Sequence, residues 1–133
     1  MRYVLDTDVL IDILRGYEPA VDWFSTLLEP PAVVSLSLME LVQGCRNNQE
    51  LSQVEQLANP LEIWYPDAEE MRSALVFFQA HYLKCRLSII DAIIGSVCVA
   101  RQGILCTFNV RHYRWINDLL TLQPYFRNPT TAQ

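Results

Sequence analysis

Short apolar runs, each followed by a helical pattern, recur along this chain and restrict it to few folds. Residues 2–5, 32–35, 61–65 and 104–107 each read as a brief buried strand, and 121–123 as a last one. Runs this short and this apolar bury both faces, which is the mark of strands in a parallel sheet rather than an antiparallel one. The segments between them carry helix signals. Asp8 is placed to N-cap a helix running to Arg15 and halted by Gly16. Pro19 opens a second, which Pro30-Pro31 ends. Ser37 is placed to cap a third, to about Cys45, and Asn47 or Asn48 a fourth, to about Asn59-Pro60. Asp67 and Glu70 have capping-box spacing at the head of a long helix reaching about Lys84. Ser88 caps a helix to Arg101, closed by Gly103 and apolar nearly all round, so it should lie centrally. A short helix around 112–119 precedes the last strand. Alternating strands and helices of this kind predict an α/β fold: a central, mostly parallel sheet covered on both faces. Ligands of such sheets bind beyond the carboxyl ends of the strands.

Three acids interrupt apolar sequence. Asp6 closes Tyr3-Val4-Leu5, Glu40 lies within Leu36 to Val42, and Asp91 lies within Leu87 to Ile94. A carboxylate among apolar neighbours costs several kcal/mol unless a partner offsets it. The chain has one lysine, Lys84, and no arginine beside these acids in sequence. A divalent cation held by hard oxygen ligands is the common solution. A simpler reading stays open for two of them. Ser37-x-x-Glu40 and Ser88-x-x-Asp91 have helix-capping spacing, so either acid could fold back on its own cap. Asp8 reads as an N-cap rather than a ligand.

The rest of the composition narrows the class. The 133 residues are 51% hydrophobic and suffice for one domain with a real core, spanning 1–133 with a tail expected to fray from about 128. No stretch is long enough to span a membrane, and the opening residues meet a charge too early for a secretory signal. Cys45, Cys85, Cys98 and Cys106 have neither zinc-site nor redox spacing and read as reduced thiols of a cytoplasmic protein. The net charge of −5 argues against a simple electrostatic nucleic-acid binder. It leaves room for a nuclease whose acids are neutralised by metal.

Four segments carry a family likeness. Tyr3-Val4-Leu5-Asp6-Thr7-Asp8-Val9-Leu10-Ile11-Asp12, Ser35-Leu36-Ser37-Leu38-Met39-Glu40-Leu41, Asp91-Ala92-Ile93-Ile94-Gly95 and Thr107-Phe108-Asn109-Val110-Arg111-His112-Tyr113 resemble, in order and spacing, the signature segments of PIN domains. Among these the chain is most similar to the VapC-type toxins of type II toxin–antitoxin pairs. The resemblance implies a three-layer α/β/α fold and an Mg²⁺-dependent endoribonuclease, with Mn²⁺ as a substitute, held inactive by a cognate antitoxin and working as a homodimer within that complex. Asp6, Glu40 and Asp91 match the family's catalytic and metal-site acids. His112 stands where many PIN domains carry a fourth acid, which implies one well-held metal rather than two. Thr107, Asn109 and His112 are implied contacts to substrate or to the metal ligands. Trp23, Phe24 and Leu27 either anchor the antitoxin or belong to the core. Two other functions compete with the toxin: a PIN nuclease of RNA maturation, and a PIN-like module that binds RNA or protein without cleaving.

Overall fold

The computed structural model describes residues 1–127, and the expected frayed tail from about 128 lies outside them. Within that span the order is β1 (Tyr3–Leu5), α1 (Thr7–Leu14), α2 (Glu18–Ser25), β2 (Ala32–Val34), α3 (Ser35–Gln43), α4 (Asn48–Ala58), β3 (Glu62–Trp64), α5 (Ala68–Cys85), α6 (Ile89–Arg101), β4 (Ile104–Cys106), α7 (Val110–Tyr113) and β5 (Leu120–Leu122). The strands form one sheet in the order β3-β2-β1-β4-β5. Every pairing in it is parallel, so the sheet is parallel throughout rather than mostly so.

Alternation along the strands builds two cores. Successive side chains point to opposite faces of a sheet. Val4, Ala32, Val34, Trp64 and Leu105 therefore bury on one side, against α5 and α6 through Ala74, Ala92, Ile94 and Val97. Leu5, Val33 and Cys106 bury on the other, against α1, α3 and α4 through Val9, Leu10, Leu41 and Val54. Val4, Leu5, Val33, Val34 and Leu105 are sealed from solvent, and burying each stabilises the fold by roughly 1.5–3 kcal/mol. Trp23 and Phe24 pack against the second core, and Trp23 stacks on Tyr3 with ring centroids 6.0 Å apart. Trp23 and Phe24 thus contribute to the core while staying partly exposed, whereas Leu27 joins neither core and lines a surface pocket with Phe24.

The caps divide into two kinds. Where a loop precedes the helix, sequence spacing is obeyed. Asn47 accepts from Glu50 N at 2.9 Å, Asp67 and Glu70 form a full capping box, and Ser88 accepts from Asp91 N at 3.0 Å. Where a strand runs straight into a helix, the helix starts early. Asp6, not Asp8, is the N-cap of α1, accepting from Thr7 N. Helix α3 starts at Ser35 behind Val34, with no side-chain cap, and Ser37 is buried inside it with its hydroxyl unpartnered. Gln102, in the left-handed region at φ 56°, ends α6. Gly103 instead permits a close approach, since a Cβ there would sit 2.7 Å from Val4 Cγ2. Helix α7 is shorter and earlier than its sequence suggests, because Asn109 already marks its start.

Helices α5 and α6 are stapled together by charge. Arg101 donates to both oxygens of buried Glu70, at 2.7 and 2.8 Å, and to the Tyr65 carbonyl at 2.8 Å. Its guanidinium also lies 5.2 Å from the Trp64 ring centroid. These contacts fix α6 against the sheet and so fix the height of Asp91 at its head.

Candidate metal centre and active site

Strand order dictates where the site forms. Strand β1 connects toward β2 and β3 on one side, while β4 and β5 lie on the other. The topological switch point therefore falls between β1 and β4, where parallel sheets leave a crevice at their carboxyl ends. The register pairs Leu5 with Cys106, so the next residues on each strand, Asp6 and Thr107, emerge side by side. Thr107 Oγ1 donates to Asp6 Oδ2 at 2.7 Å and accepts from Asn109 N at 2.9 Å. One buried hydroxyl thus orients the carboxylate and shapes the turn after β4. Because Thr107 is fully buried, it positions other groups and does not itself reach a phosphate.

Glu40 and Asp91 arrive from opposite sides. A cleft of about 400 Å³ at the switch point is lined by Asp6, Asp8, Glu40, Asp91, Asn109 and Arg127, among others. Glu40, on α3, accepts from the Thr7 hydroxyl at 2.6 Å. It is therefore turned toward α1 and not back onto a cap. Asp91, in the first turn of α6, accepts from the Tyr113 hydroxyl at 3.1 Å, and the same phenol lies 3.4 Å from Asp6 Oδ1. Tyr113 thus spans the two acids. His112 is half exposed, with Nδ1 3.8 Å from Asp91 Oδ2, at the edge of the site and not in its floor.

Burial dominates the electrostatics. Asp6 is only 4% exposed, and its carboxyl is pushed up to about 7, chiefly by desolvation and next by the charge of Asp8. The bonds from Thr107 and Thr7 pull it back, and Asp91 adds the least. The repulsion thus comes mostly from Asp8, the acid that sequence reasoning took for an N-cap. Asp8 is itself raised by burial, opposed by bonds from Phe108 N and Val9 N and by the charge of Arg127. Its carboxylate spans from α1 to the turn after β4, accepting from Phe108 N at 2.9 Å. Burial and the two acids hold the Tyr113 phenol well above its ordinary value, so it stays a neutral donor.

Among the described residues, no three histidine, cysteine or acid groups are drawn tightly enough to form a finished cation cage. The donor chemistry nevertheless fits a hard divalent ion, which takes oxygen ligands. Asp6 meets neutral donors: the Thr7 amide at 2.9 Å, the Thr107 hydroxyl and the Tyr113 phenol. A buried carboxylate whose ionisation is held off to about 7 is one that a nearby cation would stabilise.

The structure therefore gathers Asp6, Glu40, Asp91 and Asn109 at one cleft and sets Thr107 beneath it and His112 beside it. Sequence reasoning missed Thr7, Tyr113 and Arg127. Tyr113 sits within the recognised fourth segment, four residues after Asn109. Arg127 has no local signal at all.

Comparison with known proteins agrees with this frame. The PIN domain family matches residues 3–115. No curated protein sequence matches the chain. Among solved structures, the DNA-bound VapBC of Salmonella typhimurium superposes with TM-score 0.80 at 20% identity, covering 92% of this chain and 97% of that one. VapBC-1 of nontypeable Haemophilus influenzae gives 0.75 at 23%, covering 92% and 97%. A toxin–antitoxin complex from Klebsiella pneumoniae gives 0.77 at 19%, covering 94% and 99%. At these identities the likeness establishes a shared fold.

Proposed function

Since this chain belongs to the PIN domain family, we propose that it is a divalent-metal-dependent endoribonuclease and the toxin of a type II toxin–antitoxin pair. The observation that carries the nuclease reading is the convergence of Asp6, Glu40 and Asp91 on one cleft at the β1–β4 switch point. The toxin reading draws on the solved toxin–antitoxin complexes that share its fold over nearly their whole length.

Mg²⁺ is the proposed ion, with Mn²⁺ as substitute, and Asp6 and Asp91 are its proposed ligands, with Glu40 beside them. Such an ion supplies Lewis acidity to a phosphate oxygen and lowers the pKa of a bound water. Thr107 and Tyr113 hold Asp6 and Asp91 in place. Glu40 has one oxygen fixed by Thr7, and its other oxygen is the one proposed to take the proton of the attacking water. Attack in line with the leaving 3′ oxygen yields a 5′-phosphate and needs no 2′-hydroxyl nucleophile. RNA is then chosen by shape and by contacts to unpaired bases, with Asn109 one candidate contact.

An antitoxin suits the same cleft, because an acidic pocket invites a cationic side chain from an inserted segment. A homodimer is supported by a second feature. A groove of about 300 Å³ between α5 and α6 is almost wholly apolar, lined by Met71, Ala74, Leu75, Phe78, Ile89 and Ile93. Leu75 is 56% and Ile89 63% exposed, and contiguous exposed apolar surface of this sort marks association. Among the described residues no helix is long and apolar enough to cross a membrane, and we place the protein in the cytoplasm.

The test is cleavage of a total-RNA pool with Mg²⁺ or Mn²⁺, with and without EDTA. Fragments bearing 5′-phosphates, lost in EDTA and in Asp91→Asn, are expected. Undiminished cleavage in EDTA would overturn the metal mechanism. Co-expression with the neighbouring gene should give a copurifying, inactive complex, and a chain that never binds that product is no toxin.

A further inference from the structure

The acid cleft contains one cation among its described lining residues, and it arrives from the far end of the fold. After β5, residues 123–127 dock on α1 and on the turn after β4. Tyr125 packs against Phe108, ring centroids 4.9 Å apart, and donates its hydroxyl to Asp12 Oδ2 at 2.7 Å. Arg127 then pairs with Asp12 Oδ1 at 3.2 Å and lies over the Phe108 ring, 5.0 Å from its centroid. From there its side chain lines the same cleft as Asp6, Glu40, Asp91 and Asn109.

The pairing is incomplete in an informative way. Arginine and carboxylate often pair through two parallel bonds, and Arg127 makes only one to Asp12. Tyr125 donates to one Asp12 oxygen and Arg127 to the other, through a single amino group. Among the described residues the Nε of Arg127 is sealed from solvent without a partner, while the side chain as a whole remains 21% exposed, so the outer nitrogens are the ones open to the cleft. Guanidinium offers five N–H donors in a planar fork, and among the described residues this one makes a single hydrogen bond, from Nη2, which leaves Nη1 and the second Nη2 proton to meet a ligand. Held by Asp12 and by the Phe108 face, it also loses little freedom when it meets a ligand.

The cleft needs such a group. A phosphodiester backbone is a polyanion, and Asp6, Asp8, Glu40 and Asp91 surround its path in a chain of net charge −5. Metal at the scissile phosphate does nothing for the phosphate beside it. We propose that Arg127 anchors a backbone phosphate of the bound RNA, adjacent to the one cleaved. This rests on the nuclease reading above, and it makes Arg127 a substrate-binding residue of that site.

The test is cleavage kinetics of a fluorescein-labelled single-stranded oligoribonucleotide as a function of salt, for wild type, Arg127→Gln and Arg127→Lys. A contact made equally in ground and transition states raises KM and spares kcat. Arg127→Gln should raise KM roughly ten- to a hundredfold, the worth of one charge-assisted bond pair. It should also flatten the slope of log(kcat/KM) against log[salt] by about 0.7, the share of one phosphate on a single strand. Arg127→Lys should keep the slope and recover part of KM. An Arg127→Gln variant with unaltered slope, whether its kcat or melting temperature falls or not, would overturn the assignment and leave Arg127 a staple. A wild type that cleaves no RNA would overturn the nuclease reading, and this inference with it.

Discussion

Asp6→Asn tests whether the strained carboxylate at the switch point is real. The folded protein holds the Asp6 proton up to about 7, against 3.8 for the free side chain. Between those values the folded state binds more protons than the unfolded one, so stability falls as pH rises from about 4 through 7 and is flat above. The full penalty is about 4 kcal/mol, of which about 2 kcal/mol falls between pH 5.5 and pH 8.5. Asp8 is shifted in the same direction and steepens the loss. Asparagine cannot ionise, but its one carbonyl oxygen cannot replace both carboxylate oxygens that now accept from Thr7 and Thr107. That lost bond costs about 1 kcal/mol. Asp6→Asn should therefore be more stable than wild type by about 1 kcal/mol at pH 5.5 and about 3 kcal/mol at pH 8.5. Urea denaturation in EDTA at both pH values measures this, and the gap should widen by about 2 kcal/mol. Parallel stability profiles for the two proteins would refute the assignment of Asp6 as the desolvated acid.

Other substitutions probe the frame around the site. Glu70 is held below the usual carboxylate range, first by its bonds from Arg101, so its contribution is complete above about pH 4.5 and is lost as pH falls through its folded value. Arg101→Ala should destabilise by about 2–4 kcal/mol at pH 7, since a buried acid loses its partner, and chemical denaturation will show it. Gly95 lies one turn beyond Asp91, and a Cβ there would fall 2.2 Å from Ile116 Cδ1. Gly95→Val, which the tip of Ile116 cannot evade, should cost about 2 kcal/mol or more and weaken activity by shifting Asp91. Leu75→Glu should turn a dimer into a monomer in sedimentation with little change in thermal stability. An unchanged sedimentation coefficient would remove the α5–α6 groove from the interface.

The fold was legible in sequence wherever local signals acted alone. Apolar runs too short for anything but buried strands gave the sheet, and caps preceded by loops held at Asn47, Asp67 and Ser88. The misread caps, Asp8 and Ser37, share one cause. Strand and helix join there without a loop, so the first helical residue is set by the strand's exit and not by the next polar side chain. The three acids were visible because each breaks an apolar run. Asp8 was visible but misassigned, since as a helix-start residue it looks like any N-cap. Its bond to Phe108 N spans 100 residues and leaves no local trace. Arg127 reaches the cleft through Tyr125 and Asp12 over a comparable distance. No pattern in residues 123–127 announces that contact.

The central claim, that these acids form one divalent-cation site, is tested most directly by titrating Mn²⁺ into the protein by calorimetry at pH 7. Two buffers of different ionisation heat would be used. One site is expected, because His112 stands at the edge of the cleft in place of the family's fourth acid, and Asp8, the fourth acid in the lining, has both oxygens bound to the Val9 and Phe108 amides. Asp6, with its carboxyl near 7, is about half protonated at that pH, so binding should release roughly half a proton. The buffers report that release as a difference in heat, and Asp6→Asn should abolish both the binding and the proton. Absence of any binding heat at millimolar Mn²⁺ in either buffer would contradict the account and leave Asp6, Glu40 and Asp91 as acids of purely structural consequence.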